Sequence, residues 1–369
     1  MVTRVPLPRG RRAQAVAALA GVAAIGLVMV SLHHLGGNGD KSGPDRDAAL
    51  PDTTEMLHDG GRTWFVSATA RAGGDGSPGH PFDAIQAAMQ AAGPGDTVRV
   101  GPGRYPGGFR SVRSGIAQAP IRISGHRARI LPGGDAIRLV EISHDHLEIS
   151  GFDVVGGTAG IRLWGANHVR IIDNRVTRAT GECIRIKNRS NENEVAFNQV
   201  SDCGRRNFNL AKKSKNGEGI YIGTAPEQID ELPDKSPDRS LKNWVHDNDI
   251  DTPAECVDVK EHTSLTVVEH NTCTGGKDPE GAGFSGRGDR VTFRGNTVVG
   301  GAGAGIRLGG DEAHQGTGSN VIDNDVQRPA GYGVKIMRSP QGAICGNGLI
   351  EPGMGATNDE RTNPAVSCL

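Results

Sequence analysis

A short phrase recurs eight times between residues 151 and 347: a β-branched strand, an Asn or Gly, a Gly-rich turn and a second apolar strand. Its reference residue falls at Gly151, Asn174, Asn198, Asn248, Asn271, Asn296, Asn324 and Asn347, and six of the seven spacings are 23 to 28 residues. A period in the twenties is that of a solenoid, whose units bury their apolar faces only by stacking on one another. The one long interval, Asn198 to Asn248, holds two polar stretches, 205–214 and 224–241, and reads as a single coil carrying inserted loops.

Leucine-rich repeats share this period, but their L-x-x-L-x-L-x-x-N signature is absent and no segment between strands reads as helical. Each unit reads as strand, turn, strand, as in Val169-Arg170-Ile171-Ile172-Asp173-Asn174 followed by Ile184-Arg185-Ile186. The expected fold is an all-β, right-handed parallel β-helix. Its coils would lie ~4.8 Å apart, which lets equivalent Asn side chains hydrogen-bond from coil to coil as an amide ladder. With 55 Gly, 4% aromatic and 36% apolar residues, the chain suits tight turns around a narrow core of Val, Ile and Leu. A net charge of -1 argues against nucleic-acid binding by overall charge. No nucleic-acid partner is expected, and the chain is expected to be a monomer.

Arg4, Arg9, Arg11 and Arg12 precede an uncharged stretch from Ala13 to Leu32, so residues 1–35 have the layout of an export signal. That stretch is also long enough to span a bilayer and no clear A-x-A site follows it, so a cleaved peptide and a membrane anchor through residues 13–32 both stay open. Either way the body lies outside the cytoplasm. Residues 36–61 read as a flexible linker and 62–369 as the solenoid. Six cysteines in an oxidising compartment favour disulfides. The repeat puts Cys183 beside Cys203 and Cys256 beside Cys273 on neighbouring coils, and leaves Cys345 to tie down Cys368. The segment around Pro81 to Met89 sets Phe82, Ile85 and Met89 on one helical face, suited to covering the open N-terminal end.

Aligning the second strands on the inward residues Ile161, Ile184, Ile220, Val257, Phe284, Ile306 and Val334 defines three further columns. One position later come Arg162, Arg185, Tyr221, Asp258, Ser285, Arg307 and Lys335. Three positions later come Trp164, Lys187, Gly223, Lys260, Arg287, Gly309 and Met337. Two positions earlier come Ala159, Glu182, Glu218, Glu255, Ala282, Ala304 and Tyr332, placed in the turn before the strand because an inward unpaired carboxylate is costly. Carboxylates stacked at ~4.8 Å repel by ~3 kcal/mol per pair at an effective dielectric near 20. Either Arg185, Lys187 and Lys260 neutralise them, or their oxygens hold a hard cation such as calcium.

Lys260 and Arg287 share a column on adjacent coils, a geometry that suits β-elimination. Removing the proton α to a uronate carboxylate needs that carboxylate neutralised, as a metal can do, and a base of near-neutral pKa. A lysine crowded by cations can become such a base, and Arg287 can steady the developing charge. Gly301 to Gly305 mimics a dinucleotide loop but opens a strand, so no nucleotide or redox cofactor is expected. His144-Asp145-His146 reads as a turn that closes a coil rather than a metal site.

The run TWFVSATARAGGDGSPGHPFDAIQAAMQAAGPGDTVRVGPGRYPG, then SGIAQAPIRISG and HDHLEISGFDVVGG, resembles the opening of secreted right-handed β-helix proteins of the pectate lyase superfamily. The site layout is similar to that of calcium-dependent β-helix lyases of the chondroitinase B and alginate lyase type, where a Glu precedes a basic Lys on one coil and an Arg follows on the next. AECVDVKEHTS supplies Glu255 and Lys260, and GFSGRGDRVTFRGN supplies Arg287. That family usually adds an Asn and a second Glu as ligands, for which Asn216 and Glu218 are the substitutes here.

The resemblance implies an acidic polysaccharide cleaved by β-elimination, with Lys260 and Arg287 catalytic and calcium held by Glu218, Glu255 and Asp258. Arg185, Lys187, Tyr221, Arg307 and Trp164 are the expected substrate contacts. A uronate epimerase needs the same proton abstraction. A non-catalytic adhesion protein would instead pair its glutamates internally with Arg185, Lys187 and Lys260, leaving no open cleft.

Overall fold

The computed structural model describes residues 61–134 and 138–368. The export segment 1–35 and the linker 36–61, save its last residue, lie outside the described residues. Among the described residues no helix is long and apolar enough to cross a membrane.

The chain winds alternately through two parallel sheets, of 19 and nine strands. In the nine-stranded sheet the neighbours follow chain order without a break, from Phe109–Arg110 to Val334–Ile336, one strand per coil. The fold is the expected parallel β-helix. The inward column is also as aligned: Ile161, Ile184, Ile220, Val257, Phe284, Ile306 and Val334 lie in successive register and are fully buried. Alternation along each strand then sends the intervening residues outward.

The asparagines form the ladder that their spacing predicts. Each buried Nδ2 donates to the Oδ1 of the next coil: Asn174 to Asn198 at 3.2 Å, Asn198 to Asn248 at 2.9 Å, Asn248 to Asn271 at 2.8 Å. The row continues through Asn296 and Asn324 to Asn347 at 2.9 to 3.1 Å. A second row joins Asn193 to Asn243 at 3.0 Å. In both rows residues 50 apart behave as neighbours, so 205–214 and 224–241 are insertions into one coil. The residue before each ladder Asn turns the corner with positive φ, including Phe197 at 57° and Asp247 at 53°. Backbone amides and the ladder hold non-glycine residues in a conformation that L side chains otherwise avoid.

Gly151 corrects the alignment by one residue. It occupies the left-handed corner (φ 73°), and the N–H of Phe152 donates to Asn174 Oδ1 at 3.1 Å, so the ladder starts at Asn174.

A helix spans Ile85–Ala91 and buries Ile85, Ala88 and Met89. Phe82 precedes it, bridged in parallel to Val66 and stacked on Trp64, and so does not share the helical face expected of it. Disulfides join Cys183 to Cys203, Cys256 to Cys273 and Cys345 to Cys368.

Candidate active site

The outward columns of the nine-stranded sheet meet in an open cleft of about 480 Å³. The strands Ile220–Ile222, Val257–Val259, Ala282–Gly286, Ala304–Leu308 and Val334–Ile336 form its floor. Register puts Tyr221 beside Asp258, Asp258 beside Ser285, Ser285 beside Arg307, and Arg307 beside Lys335. Glu182, Glu218 and Glu255 each sit just before a strand, in the turn. Gly223 takes a φ of 90°, and a Cβ there would meet Thr263 at 2.4 Å and Lys260 Cβ at 3.3 Å. A side chain at that position would displace the Lys260 stem.

Asp258 organises the centre. Its Oδ2 lies 2.5 Å from Lys260 Nζ, and its Oδ1 lies 3.8 Å from Arg287 Nε. These two cations are its partners, and no further donor reaches either carboxylate oxygen although the residue is buried. Burial opposes its charge, but Lys260 and Arg287 prevail and hold the carboxyl below the ordinary Asp range. Burial likewise opposes the Lys260 ammonium, and Asp258 more than offsets it, so Lys260 titrates above the ordinary lysine value. This corrects the expectation of a near-neutral lysine crowded by cations: the nearest charge is a carboxylate. Arg287 also reaches Glu261 at 3.5 Å and Asp311 at 3.4 Å.

Glu218 and Glu255 face the cleft from the neighbouring turns. Burial, opposed by Lys260 and reinforced by Glu182, Glu255 and Asp258, pushes Glu218 up to about 8. Burial and then Asp258 raise Glu255 too. The raised values of Glu218 and Glu255 lower the cost of stacking these two groups. Arg185 relieves only Glu182, at 3.5 Å. The internal pairing of the whole ladder, which a non-catalytic surface would need, is not the arrangement observed.

One oxygen from each of Glu218, Glu255 and Asp258 can be chosen so that all lie within 4.8 Å of one another. Three buried carboxylates, two with raised pKa and one, Asp258, whose partners are only Lys260 and Arg287, fit a hard divalent cation.

The insert containing the 3₁₀ helix Pro226–Glu231 changes the other expected contacts. Lys187 is fully buried, its Nζ 3.2 Å from both Gln228 Oε1 and Glu231 Oε2, and burial lowers its pKa to about 8. Tyr221 is buried, its hydroxyl accepting from Ala225 N at 3.1 Å and donating to Gln228 Oε1 at 3.3 Å. Asp238 ties down the base of the insert, accepting from the N–H groups of Asn188 and Arg189 and the hydroxyls of Thr224 and Ser240 at 2.7 to 2.8 Å. Lys187 and Tyr221 therefore lie under the insert instead of in the cleft. Trp164 is half-buried beneath the Arg162 guanidinium, 3.8 Å from the ring centroid, on a coil beyond the insert. Arg307 does line the cleft, paired with Asp311 at 3.3 Å.

Sequence reasoning missed Glu261 and Asp311. Glu261 follows Lys260 directly and is buried, a signal that was available; Asp311 sits in a turn that no repeat position marks. In the His144 turn, His144 Nδ1 and Ser111 Oγ are 2.7 Å apart and Asp145 accepts from Asn167, contacts that close a coil.

No protein-family model and no curated protein matches this sequence. Among solved structures the chain is similar to an alginate lyase from Paenibacillus sp. str. FPU-7, with 20% identity and a TM-score of 0.63 over 81% of this chain and 99% of that one. It is also similar to pectate lyase Pel9A, with 16% identity and a TM-score of 0.58 over 84% and 82% of the two chains. What this chain shares with both structures is the parallel β-helix fold.

Proposed function

We propose that the chain is an extracytoplasmic lyase that cleaves an acidic, uronate-containing polysaccharide by β-elimination. The observation that carries this reading is the convergence of Lys260 and Arg287 with Glu218, Glu255 and Asp258 in one open cleft. Three disulfides fit an oxidising compartment. Glu218, Glu255 and Asp258 are the residues that would hold calcium, which when bound neutralises the uronate carboxylate and so acidifies its α-proton.

Lys260 Nζ is the base. While Asp258 pairs with it, it stays protonated. Were Asp258 to hold the cation, its pull on the ammonium would weaken, and neighbouring Arg287 would lower the Lys260 pKa toward the range a base needs. Nζ then takes the α-proton, the C4–O bond of the uronate breaks, a C4–C5 double bond forms, and solvent in the cleft protonates the departing oxygen. Arg287 steadies the negative charge that builds on the carboxylate side of the sugar. Arg307, buried and paired with Asp311, and the more exposed Lys335 line the same floor and attract neighbouring uronates.

The test is ultraviolet absorbance of the unsaturated product on pectate, alginate and glycosaminoglycans, with calcium or chelator. A rise that Lys260→Ala abolishes supports the lyase, and loss with chelator assigns the carboxylates to the cation. No rise on any polymer refutes the lyase and leaves the epimerase or a binding protein.

A further inference from the structure

In the outward column through Asp258, the cleft is lined on one side only. Downstream of Asp258, Arg307 and Lys335 line the open cleft. Upstream, the next residue of that column, Tyr221, is 2% exposed, and Lys187 in the adjacent column is 0% exposed. What covers both is the insert: Gln228 sits on Tyr221 and Lys187 together, while Glu227, one residue earlier, faces the cleft. Asp238, itself buried, pins the base of the insert through four hydrogen bonds. The insert is therefore a fastened wall over the Tyr221 coil, one coil upstream of Lys260 and two upstream of Arg287.

We propose that this wall closes the cleft at one end, so that the site takes the terminus of an acidic polysaccharide and not an internal stretch of it. The inference rests on the proposed uronate-binding role of the cleft. Coils lie ~4.8 Å apart, close to the length of one sugar residue. The space between the wall and Lys260 admits about one sugar, so each elimination releases a short unsaturated fragment from the chain end. Glu227 at the foot of the wall repels a further uronate and so reinforces the stop.

Binding, rather than turnover, tests the wall. Oligouronates of the class that binds, each carrying a bulky fluorescent group on either the reducing or the non-reducing end, are titrated by calorimetry against the Lys260→Ala protein with calcium present. The closed end predicts that one of the two tags lowers affinity at least about tenfold while the other is tolerated. It also predicts that replacing residues 226–236 with a short Gly-Ser linker abolishes the difference. If both tags are tolerated by the intact chain, the cleft is an open groove and the inference fails while the proposed function stands. If no oligouronate binds either the parent chain or a Lys260→Ala protein whose circular dichroism and melt show it folded, the proposed function fails and the inference with it.

Discussion

Asp258 Oδ2 lies 2.5 Å from Lys260 Nζ, and neither residue has appreciable contact with solvent. One carboxylate thus decides the protonation of the lysine at the centre of the cleft. Replacing it with an amide leaves Lys260 and Arg287 as neighbouring cations without compensation. Asp258→Asn is expected to destabilise the fold by about 3–5 kcal/mol, the usual cost of orphaning a buried charge. Adding Lys260→Met should recover most of that loss. Urea melts of the single and double variants check this, and a single variant as stable as the parent would refute the coupling.

Calcium binding should tighten with pH. Glu218 is held up to about 8, mainly by burial, so at neutral pH the cation must displace its proton. Affinity is expected to rise as pH climbs from about 6 to about 9, with up to one proton released per cation by this group. Calorimetry in two buffers of different ionisation enthalpy reads that release. An affinity independent of pH over this range would remove Glu218 from the ligand set.

Lys187 carries a stability signature of opposite origin. Its pKa is lowered to about 8 in the fold, below its unfolded value, so between about 8 and about 10.4 the unfolded chain binds more protons and stability rises with pH. Lys187→Met lacks this contribution. The stability difference between parent and variant is expected to move in the parent's favour as pH rises through that window. Hydrogen exchange of residues 224–232 should also quicken in the variant, since Gln228 and Glu231 lose their anchor.

The amide ladder should be sensitive at any interior rung. Asn248 donates to Val195 O, His246 O and Asn271 Oδ1, and accepts from Asn198. Asn248→Ala leaves several buried polar groups unmatched and is expected to cost more than about 2 kcal/mol. Asn209, exposed and accepting one backbone bond at the 3₁₀ helix Leu210–Lys212, should cost about 1 kcal/mol or less when changed to Ala. Equal losses at the two positions would refute the structural weight assigned to the ladder.

The scaffold was legible in the sequence because a solenoid writes its register as a period. Aligning Ile184 on Ile220 and Val257 predicted which residues would stand beside Asp258, and the strands pair in that register. Charge state was not legible. Column membership placed Lys260 near Arg287 but said nothing of Asp258, whose side chain leans across the column boundary onto Nζ. Lys187 was misassigned to the substrate face for a different reason: its partners Gln228 and Glu231 lie 41 and 44 residues away, within an insertion that obeys no repeat. Gly151 failed for want of a side chain, since a glycine fits the corner as readily as the rung next to it.

Asn193 bonds to Asn243, and Asn198 to Asn248, across the same 50 residues, as if nothing lay between them. The loops are thus excluded from the count that keeps the coils in step, and doubling such a loop adds only about 0.6 kcal/mol of closure entropy. The molecule separates two kinds of information: a frame of strands and Asn rungs that stays in register, and a border of turns and loops whose lengths differ from coil to coil without breaking that register. A chain built this way can alter what its cleft admits far faster than it can alter what it is.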